Sequence, residues 1–282
     1  PHPRLFRSTE VEFKGKQVAI CGFGHVGRRL YESLGKLDIP CVLCDPFVAA
    51  KNSGQEFCSL DEALRAPIIS LHTPFTKDGA YPTFHMLDAQ RLSRLSEGTV
   101  LINAARGEVI DNAALTRHLQ RDAGLITVLD CWEREPSISS ELLRLVRLGT
   151  PHIAGYSVEA KRSASERNYQ SFLRYFQLSD ARGSADQHAE QTLLTLPAPH
   201  ENAAQRLLAH ALSKACDVSG IDAQLRAGNG EPDAALFDAI RKGISRRREF
   251  SHYLLDLGAW HEEQKKPALL AQLRALGFGV QG

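Results

Sequence analysis

Short apolar runs alternate with helical periodicities through the first half of the chain. Gln17-Val18-Ala19-Ile20-Cys21 is apolar and stops at Gly22, which reads as a strand buried on both faces of a parallel sheet. A helix is expected from about His25 to Lys36, with Val26, Leu30 and Leu34 on one face. Cys41-Val42-Leu43-Cys44 gives a second strand, ended by Asp45-Pro46, and Ser59-Leu60-Asp61-Glu62 fits a capping box that opens a short helix. Further strands are expected at Ile68–Leu71, Val100–Asn103, Leu125–Asp130 and His152–Ala154. They alternate with helices near Asp88–Leu95, over Asn112–Gln120 and over Glu141–Val146. Such alternation predicts βαβ crossovers and an α/β fold with a doubly wound parallel sheet covered on both faces.

The pattern then changes. A long amphipathic helix is expected from Ser157 to about Gln177, and residues 178–200, with Pro197 and Pro199, read as a linker. Helical periodicities at Asn202–Ala215, Asp233–Ile244 and Pro267–Leu276 surround a strand-like His252–Leu257, enough for a smaller C-terminal α/β module. A length of 282 residues agrees with about two domains.

Composition narrows the function. Hydrophobic residues at 43% and charged residues at 24% are ordinary for a globular chain and exclude disorder, collagen and coiled coil. With 34 Lys+Arg against 33 Asp+Glu, the net charge is +1, and no basic excess remains to neutralise a run of phosphates, so nucleic acid is not an expected partner. No apolar run approaches the roughly 18 residues that would span a bilayer, and no charged-then-apolar leader opens the chain; a cytoplasmic protein without membrane contact is expected. Six cysteines lie in apolar surroundings, which suits free thiols in a reducing compartment. Cys41 and Cys44 have C-x-x-C spacing but no second pair at ligand distance, so no metal is expected.

Gly22-Phe23-Gly24-His25-Val26-Gly27 is a G-x-G-x-x-G motif between a predicted strand and a predicted helix, the setting that makes the sheet Rossmann-like. Gly22 permits the tight turn, Gly24 lets backbone approach a pyrophosphate, and Gly27 permits close packing of helix on strand. The first helical N–H groups, around His25 and Val26, face the anion. Asp45 stands 18 residues past Gly27, at the end of the second strand. A carboxylate there accepts hydrogen bonds from an adenosine ribose and repels a 2′-phosphate. Like charges about 4 Å apart cost roughly 4 kcal/mol at intermediate dielectric, so NAD is expected over NADP.

Three more residues fall at the sheet edge where ligands bind in such folds: Arg106 after the fourth strand, Glu135 after the fifth, and His152 at the start of the last. Singly, Arg106 reads as a surface arginine and His152 as a core histidine. Together they suit one chemistry, because arginine grips a carboxylate bidentately and histidine exchanges a proton near neutrality beside a glutamate. His72 reads as structural, His118 as exposed on its helix, and Arg246-Arg247-Arg248 as a solvated run at a helix end.

Asn103-Ala104-Ala105-Arg106-Gly107-Glu108-Val109-Ile110-Asp111, Asp130-Cys131-Trp132-Glu133-Arg134-Glu135-Pro136 and Pro151-His152-Ile153-Ala154-Gly155-Tyr156 resemble the D-isomer-specific 2-hydroxyacid dehydrogenase family. Leu43-Cys44-Asp45-Pro46 and His72-Thr73-Pro74 extend the likeness. The resemblance implies NAD-dependent oxidation of a small, phosphorylated 2-hydroxy acid, whose phosphate must meet a cation, with Lys77 and Arg28 as candidates. Arg106 would orient the substrate carboxylate, His152 take the hydroxyl proton and Glu135 hold His152. Asp45, Thr73, Asp130 and Gly155 match NAD-contacting positions, and Tyr156 a substrate-contacting one. It also implies a homodimer, with residues 15–178 as the NAD-binding domain and exit helix, and 179–282 as linker and dimerisation domain. The family places a substrate-domain segment before its glycine motif. Only 21 residues precede Gly22 here, the chain opens at Pro1, and its single methionine is Met86, so residues 1–14 are expected to be the remnant of that segment. Two alternatives stay open: another substrate within the family, and a catalytically silent NAD-sensing scaffold.

Overall fold

The computed structural model describes residues 15–51, 54–121, 124–180, 191–196, 207–228, 233–259 and 267–281. The expected remnant at 1–14 and the helix start at 202–206 lie outside them. In chain order the first part runs β1 (Val18–Cys21), α1 (His25–Gly35), β2 (Cys41–Cys44), α2 (Pro46–Ala49), α3 (Leu60–Ala63), β3 (Ile68–Leu71), α4 (Ala89–Leu92), β4 (Val100–Asn103), α5 (Asn112–Gln120), β5 (Ile126–Leu129), α6 (Ser140–Leu145) and β6 (Leu148–Gly149). These strands form one parallel sheet in the order β2-β1-β3-β4-β5-β6.

Both faces of the sheet are covered, as all-parallel sheets require. Val18, Ile20, Ile68 and Val100 share a buried cluster with Leu43, packed by Leu30, Tyr31 and Leu34 of α1. Ala19, Ile69 and Leu101 point the other way by the two-residue period and are fully buried too. Burying one such aliphatic side chain contributes roughly 1.5–3 kcal/mol. Side-chain caps fix where helices begin. Ser59 and Glu62 form the capping box expected of α3, while Asp88, Asp111 and Ser139 cap α4, α5 and α6.

The register does most to place a site. Cys44, Cys21, Leu71, Asn103 and Leu129 are aligned across five strands, and Gly149 pairs with Leu129. Every loop that follows therefore leaves from one edge. The winding reverses at β1, which has β2 on one side and β3 on the other. A crevice at the carboxyl ends of the strands forms at such a switch point.

The second part comprises α7 (Val158–Phe176), β7 (Thr192–Thr195), α8 (Leu207–Ala215), α9 (Val218–Arg226), α10 (Ala234–Gly243), β8 (Tyr253–Asp256), α11 (Pro267–Leu276) and β9 (Gly279–Gln281). Here β7, β8 and β9 make a small parallel sheet over a core of Leu207, Ala211, Leu255, Leu273 and Phe278.

Several expectations are corrected. The last strand of the large sheet is Leu148–Gly149, and residues 152–154 are a loop, because the Asp130 carboxylate draws that backbone off the sheet. His152 therefore follows the strand's carboxyl end instead of starting the strand. The expected linker at 178–200 contains a strand, β7, paired with β8 far along the chain. By packing, residues 15–154 group with Ser219–Arg241, while Gly155–Val218 group with Lys242–Gly282, so the exit helix belongs to the second unit and most of α9 and α10 to the first.

Candidate active site

The glycine loop follows β1 as its sequence requires. Gly22 has φ +97°, and a Cβ there would stand 2.6 Å from the His72 carbonyl carbon; a Cβ on Gly27 would stand 2.0 Å from the Gly22 oxygen. Both glycines are demanded by the protein itself. Gly24 differs: a Cβ there meets nothing within 4 Å among the described residues, so its open side is room for something else. Gly24 also caps α1 without any side-chain acceptor, which leaves the first-turn N–H groups near His25 and Val26 available to an anion. Val26 is 62% exposed at that spot.

Asp45 ends β2 and is tied three ways. It accepts from Phe23 N at 2.8 Å, and from Phe47 N and Val48 N at 3.1 Å, which ties the glycine loop to the start of α2. Between the ends of β1, β2 and β3 lies a cavity of about 750 Å³ lined by Gly22, Asp45, Phe47, Thr73, Pro74 and Tyr81 among others. The Thr73 hydroxyl is buried and has no partner among the described residues. An unpartnered hydroxyl, an open glycine and a carboxylate beside one cavity fit a dinucleotide carrying ribose hydroxyls and a pyrophosphate. His72 lies behind this wall. Its Nε2 is 2.8 Å from Ser70 Oγ, and burial pushes its pKa down to about 4, so it is neutral and structural, as expected.

At the other end of the same edge stand the remaining candidates. Arg106 follows β4 with an exposed guanidinium, and Nη1 donates to Ala105 O at 2.6 Å. Its loop is braced by Asn103, whose side chain donates to Arg106 O and accepts from Ala105 N. Glu135 follows β5. One carboxylate oxygen accepts from Trp132 N at 2.7 Å, and the other lies 2.7 Å from Nδ1 of His152. With Nδ1–H donating to the carboxylate, Nε2 is left with its lone pair directed away from Glu135.

Asp130 organises this loop. Its oxygens accept from Thr150 Oγ1 at 2.6 Å, Ile153 N at 2.7 Å and Ala154 N at 2.9 Å, and its backbone carbonyl takes His152 N at 2.8 Å. His152 itself sits at φ +54°, a conformation that a histidine holds only when its surroundings impose it. Motif reasoning passed over several groups that impose it. Buried Trp132 donates from Nε1 to Thr150 O at 2.9 Å, and Arg241 of α10 donates to His152 O at 3.2 Å. Gly107 lets the Arg106 loop pass under Trp132, because a Cβ there would be 1.9 Å from the Trp132 carbonyl carbon. The glycine directly after Arg106 was the one signal available in the chain.

Cys131, Glu135 and His152 present ligand atoms within 4.8 Å of one another, a spacing that could hold a metal. Burial pushes the Cys131 thiol far up, so it stays protonated, and Glu135 is already engaged; the set is a poor metal ligand. Gly155 and Tyr156 open the second unit, immediately before α7. There Lys161 Nζ lies 3.5 Å from the Tyr156 ring centroid, and Arg247 Nε donates to Tyr156 O at 3.3 Å. Of the run Arg246–Arg248 only Arg246 is solvated as expected, since Arg248 pairs with Glu159 at 2.6 Å and the Arg247 side chain is 15% exposed. His118 is half-buried on α5, not exposed. Lys77 lies over the rings of Phe75 and Phe84, and Arg28 donates to Phe23 O beside the glycine loop.

Comparison with known proteins adds the family. Residues 4–154, more than half of the chain, match the NAD binding domain of the D-isomer specific 2-hydroxyacid dehydrogenases. The chain belongs to that family. Among its relatives, the erythronate-4-phosphate dehydrogenase of Chromohalobacter salexigens is 40% identical over 272 residues, which cover 95% of this chain and 69% of that protein. The Escherichia coli enzyme of the same name is 40% identical, over 84% of this chain and 62% of its own. A solved D-isomer specific 2-hydroxyacid dehydrogenase from Lactobacillus delbrueckii ssp. bulgaricus, in its NAD-complexed form, is 25% identical with a TM-score of 0.50. That match covers 60% of this chain and 56% of the other. As a family member this chain has the Rossmann-like α/β fold expected of it, with NAD as the cofactor of the matched domain.

Proposed function

We propose that this dehydrogenase oxidises 4-phospho-D-erythronate to (R)-3-hydroxy-2-oxo-4-phosphooxybutanoate with NAD, a step in pyridoxal 5′-phosphate biosynthesis. The observation that carries the reading is the His152–Glu135 pair at 2.7 Å on the same sheet edge as Arg106 and the glycine loop. The names of the relatives supply the substrate.

In this reading Gly22, Gly24, Gly27 and the first turn of α1 at His25 and Val26 hold the pyrophosphate, and Asp45 holds the ribose. Thr73, Asp130 and Gly155 line the rest of the cofactor path. Bound NAD supplies the hydride acceptor. Arg106 grips the substrate carboxylate and so fixes which face of C2 is presented, while Tyr156 contacts the substrate. His152 Nε2 takes the hydroxyl proton as the hydride leaves C2. Glu135 keeps the ring in the required tautomer and steadies the imidazolium that forms.

Assay of the full gene product for NADH formation tests this directly. Turnover of 4-phosphoerythronate above that of 3-phosphoglycerate supports the substrate. Turnover of another 2-hydroxy acid alone keeps the chemistry and removes the substrate. NAD binding without turnover of any of them favours the silent scaffold. His152→Ala is expected to lower kcat about 10²- to 10⁴-fold with folding intact; near-normal turnover would remove the proton-transfer role.

We further propose a cytoplasmic homodimer without membrane or nucleic-acid contact. All six cysteines are free, which suits a reducing compartment, and no helix among the described residues is long and apolar enough to cross a membrane. Exposed aromatics at the end of α7 are the candidate dimer contact.

A further inference from the structure

Among the described residues, His152 is held at every polar atom except Nε2. Its N–H donates to the Asp130 carbonyl oxygen at 2.8 Å, and Nδ1 lies 2.7 Å from Glu135 Oε2. Its own carbonyl oxygen accepts from Nε of Arg241 at 3.2 Å. Two of the contacts in this loop act on one peptide group. Asp130 Oδ1 accepts the Ile153 N–H at 2.7 Å, and Arg241 holds the carbonyl on the opposite side of the same plane. A peptide plane pinned at both ends cannot turn, and its tilt sets ψ of His152. That hold matters because φ +54° is a conformation a histidine leaves once its surroundings release it. A turn about φ or ψ swings Cβ and carries the ring off Glu135.

The grip on the carbonyl comes from far along the chain. Arg241 lies 89 residues past His152, in a stretch, Ser219–Arg241, that packs with the nucleotide-binding unit. Its helix α10 is seated there by Phe237 and Ile240, which are buried. Phe237 stands four residues before Arg241, so one helical face carries both the apolar anchor and the guanidinium. The donor is ionised, which makes this bond stronger than one between neutral groups.

We propose that Arg241 is a positioning residue for the dehydrogenase reaction. By holding the His152–Ile153 peptide it keeps His152 in the left-handed conformation that seats Nδ1 on Glu135 and leaves Nε2 for the hydroxyl proton. The inference rests on His152 being the proton acceptor. It gives the C-terminal part of the chain a share in catalysis that is separate from any association between copies.

Two nearly isosteric variants of the full gene product test it. Arg241→Gln places an amide N–H as many bonds from Cα as Nε is, and Arg241→Met places a methyl group there. Steady-state kinetics and calorimetric titration with NAD are combined with proton NMR of the low-field Nδ1–H signal of His152, assigned by its absence from His152→Gln. Arg241→Met should lower kcat roughly 10- to 100-fold, the loss that a misplaced catalytic group produces. KM and the Kd for NAD should stay within about threefold, since neither ligand touches Arg241 in this reading. The Nδ1–H signal should broaden into exchange with water. Arg241→Gln should regain most of the turnover and the sharp signal. Wild-type kcat in Arg241→Met would overturn the proposal, as would equal losses in the two variants or an unchanged Nδ1–H signal in Arg241→Met. If the methionine variant does not fold, Arg241→Asn, whose amide falls one bond short of the carbonyl, takes its place in the same comparison. Wild-type protein that turns over no 2-hydroxy acid would remove the catalytic reading of His152 itself, whereas the Nδ1–H signal reports the hold of Arg241 without turnover.

Discussion

Gly24 and Gly27 sit three residues apart in one loop, yet the structure gives them different reasons to be glycine. A methyl group on Gly27 would meet the Gly22 carbonyl oxygen at 2.0 Å and Ile20 Cγ2 at 3.2 Å, both parts of the fold. A methyl group on Gly24 meets nothing among the described residues. Gly27→Ala should therefore destabilise the protein by about 1–3 kcal/mol or more, the range for overpacking, with NAD binding lost as a consequence. Gly24→Ala should keep its unfolding midpoint and lose roughly tenfold or more in NAD affinity, about 1.4 kcal/mol, because the methyl group stands where the pyrophosphate approaches. Calorimetric titration beside thermal unfolding separates the two. Equal NAD affinity in Gly24→Ala and wild type would remove Gly24 from the nucleotide site.

His72 makes a second prediction at the same scale. Its ring is held neutral in the fold by burial, with a pKa of about 4 against an ordinary 6.5. The unfolded chain takes up that proton first, so the linkage lowers stability as pH falls below about 6.5 and levels off below about 4. Between pH 7 and pH 5 the wild type should lose about 2 kcal/mol more than His72→Gln does. Urea titrations at the two pH values measure the difference, and parallel losses in both proteins would contradict the burial of a neutral ring.

Among the elements, the bracing of β6 is the least obvious. Arg226 of α9 donates to the carbonyls of Leu143 and of Val146 (3.0 Å), which the end of α6 leaves without helical partners. It also pairs with Asp222 at 2.8 Å, and Asp222 in turn accepts from Gly149 N of β6 at 2.7 Å. Removing the guanidinium takes the donor from two carbonyls and from Oδ2 of Asp222 at once, while Oδ1 keeps Gly149 N. Arg226→Ala should cost about 2–4 kcal/mol in thermal unfolding. Arg226→Lys should recover only part of it, since an ammonium cannot fork to three acceptors as the planar group does. Full recovery by lysine would show that charge alone matters there.

This brace also marks what could and could not be read from the chain. The strands β1 to β4 stand where short, mainly apolar runs stop before Gly22, Asp45, His72 and Ala104, because a strand buried on both faces needs a local run of that kind. The capping box at Ser59 is local as well, and it formed. The loop at 150–154 is not local. Its shape is set by Asp130, Trp132 and Arg241, groups up to 89 residues away, and its own Pro-His-Ile-Ala looks as much like a strand as like a loop. Likewise β7 is four residues, mostly exposed, in polar surroundings, and exists because β8 pairs with it. Arg106, Glu135 and His152 were legible as a set because each lies within a few residues of a strand's end. Arg226 and Arg241 were not, since nothing in a helical pattern says which carbonyl an arginine will reach.

On the scale of the whole molecule, the end of α7 has apolar surface that no described residue covers. Phe172, Tyr175, Phe176 and Leu178 are 50%, 81%, 55% and 53% exposed. The rings of Phe172 and Tyr175 lie 4.8 and 4.9 Å from that of Phe176, so the aromatics touch one another instead of a core. Singly exposed apolar residues are normal on a protein surface, but a touching set of this size marks an association site. A second copy of the chain fits the homodimer proposed above, since an isologous contact repeats the same patch on both partners and covers it twice. Each aromatic side chain fully withdrawn from water contributes roughly 1.5–3 kcal/mol. Sedimentation velocity at micromolar concentration should find a dimer. Tyr175→Asp combined with Phe176→Asp should shift it to a monomer, because four added charges at a symmetric contact are too costly to bury unpaired. NAD binding should be unchanged in that variant, as the glycine loop, Asp45 and the cavity all belong to the first unit. A wild-type monomer, or a variant that stays dimeric, would move the contact away from α7.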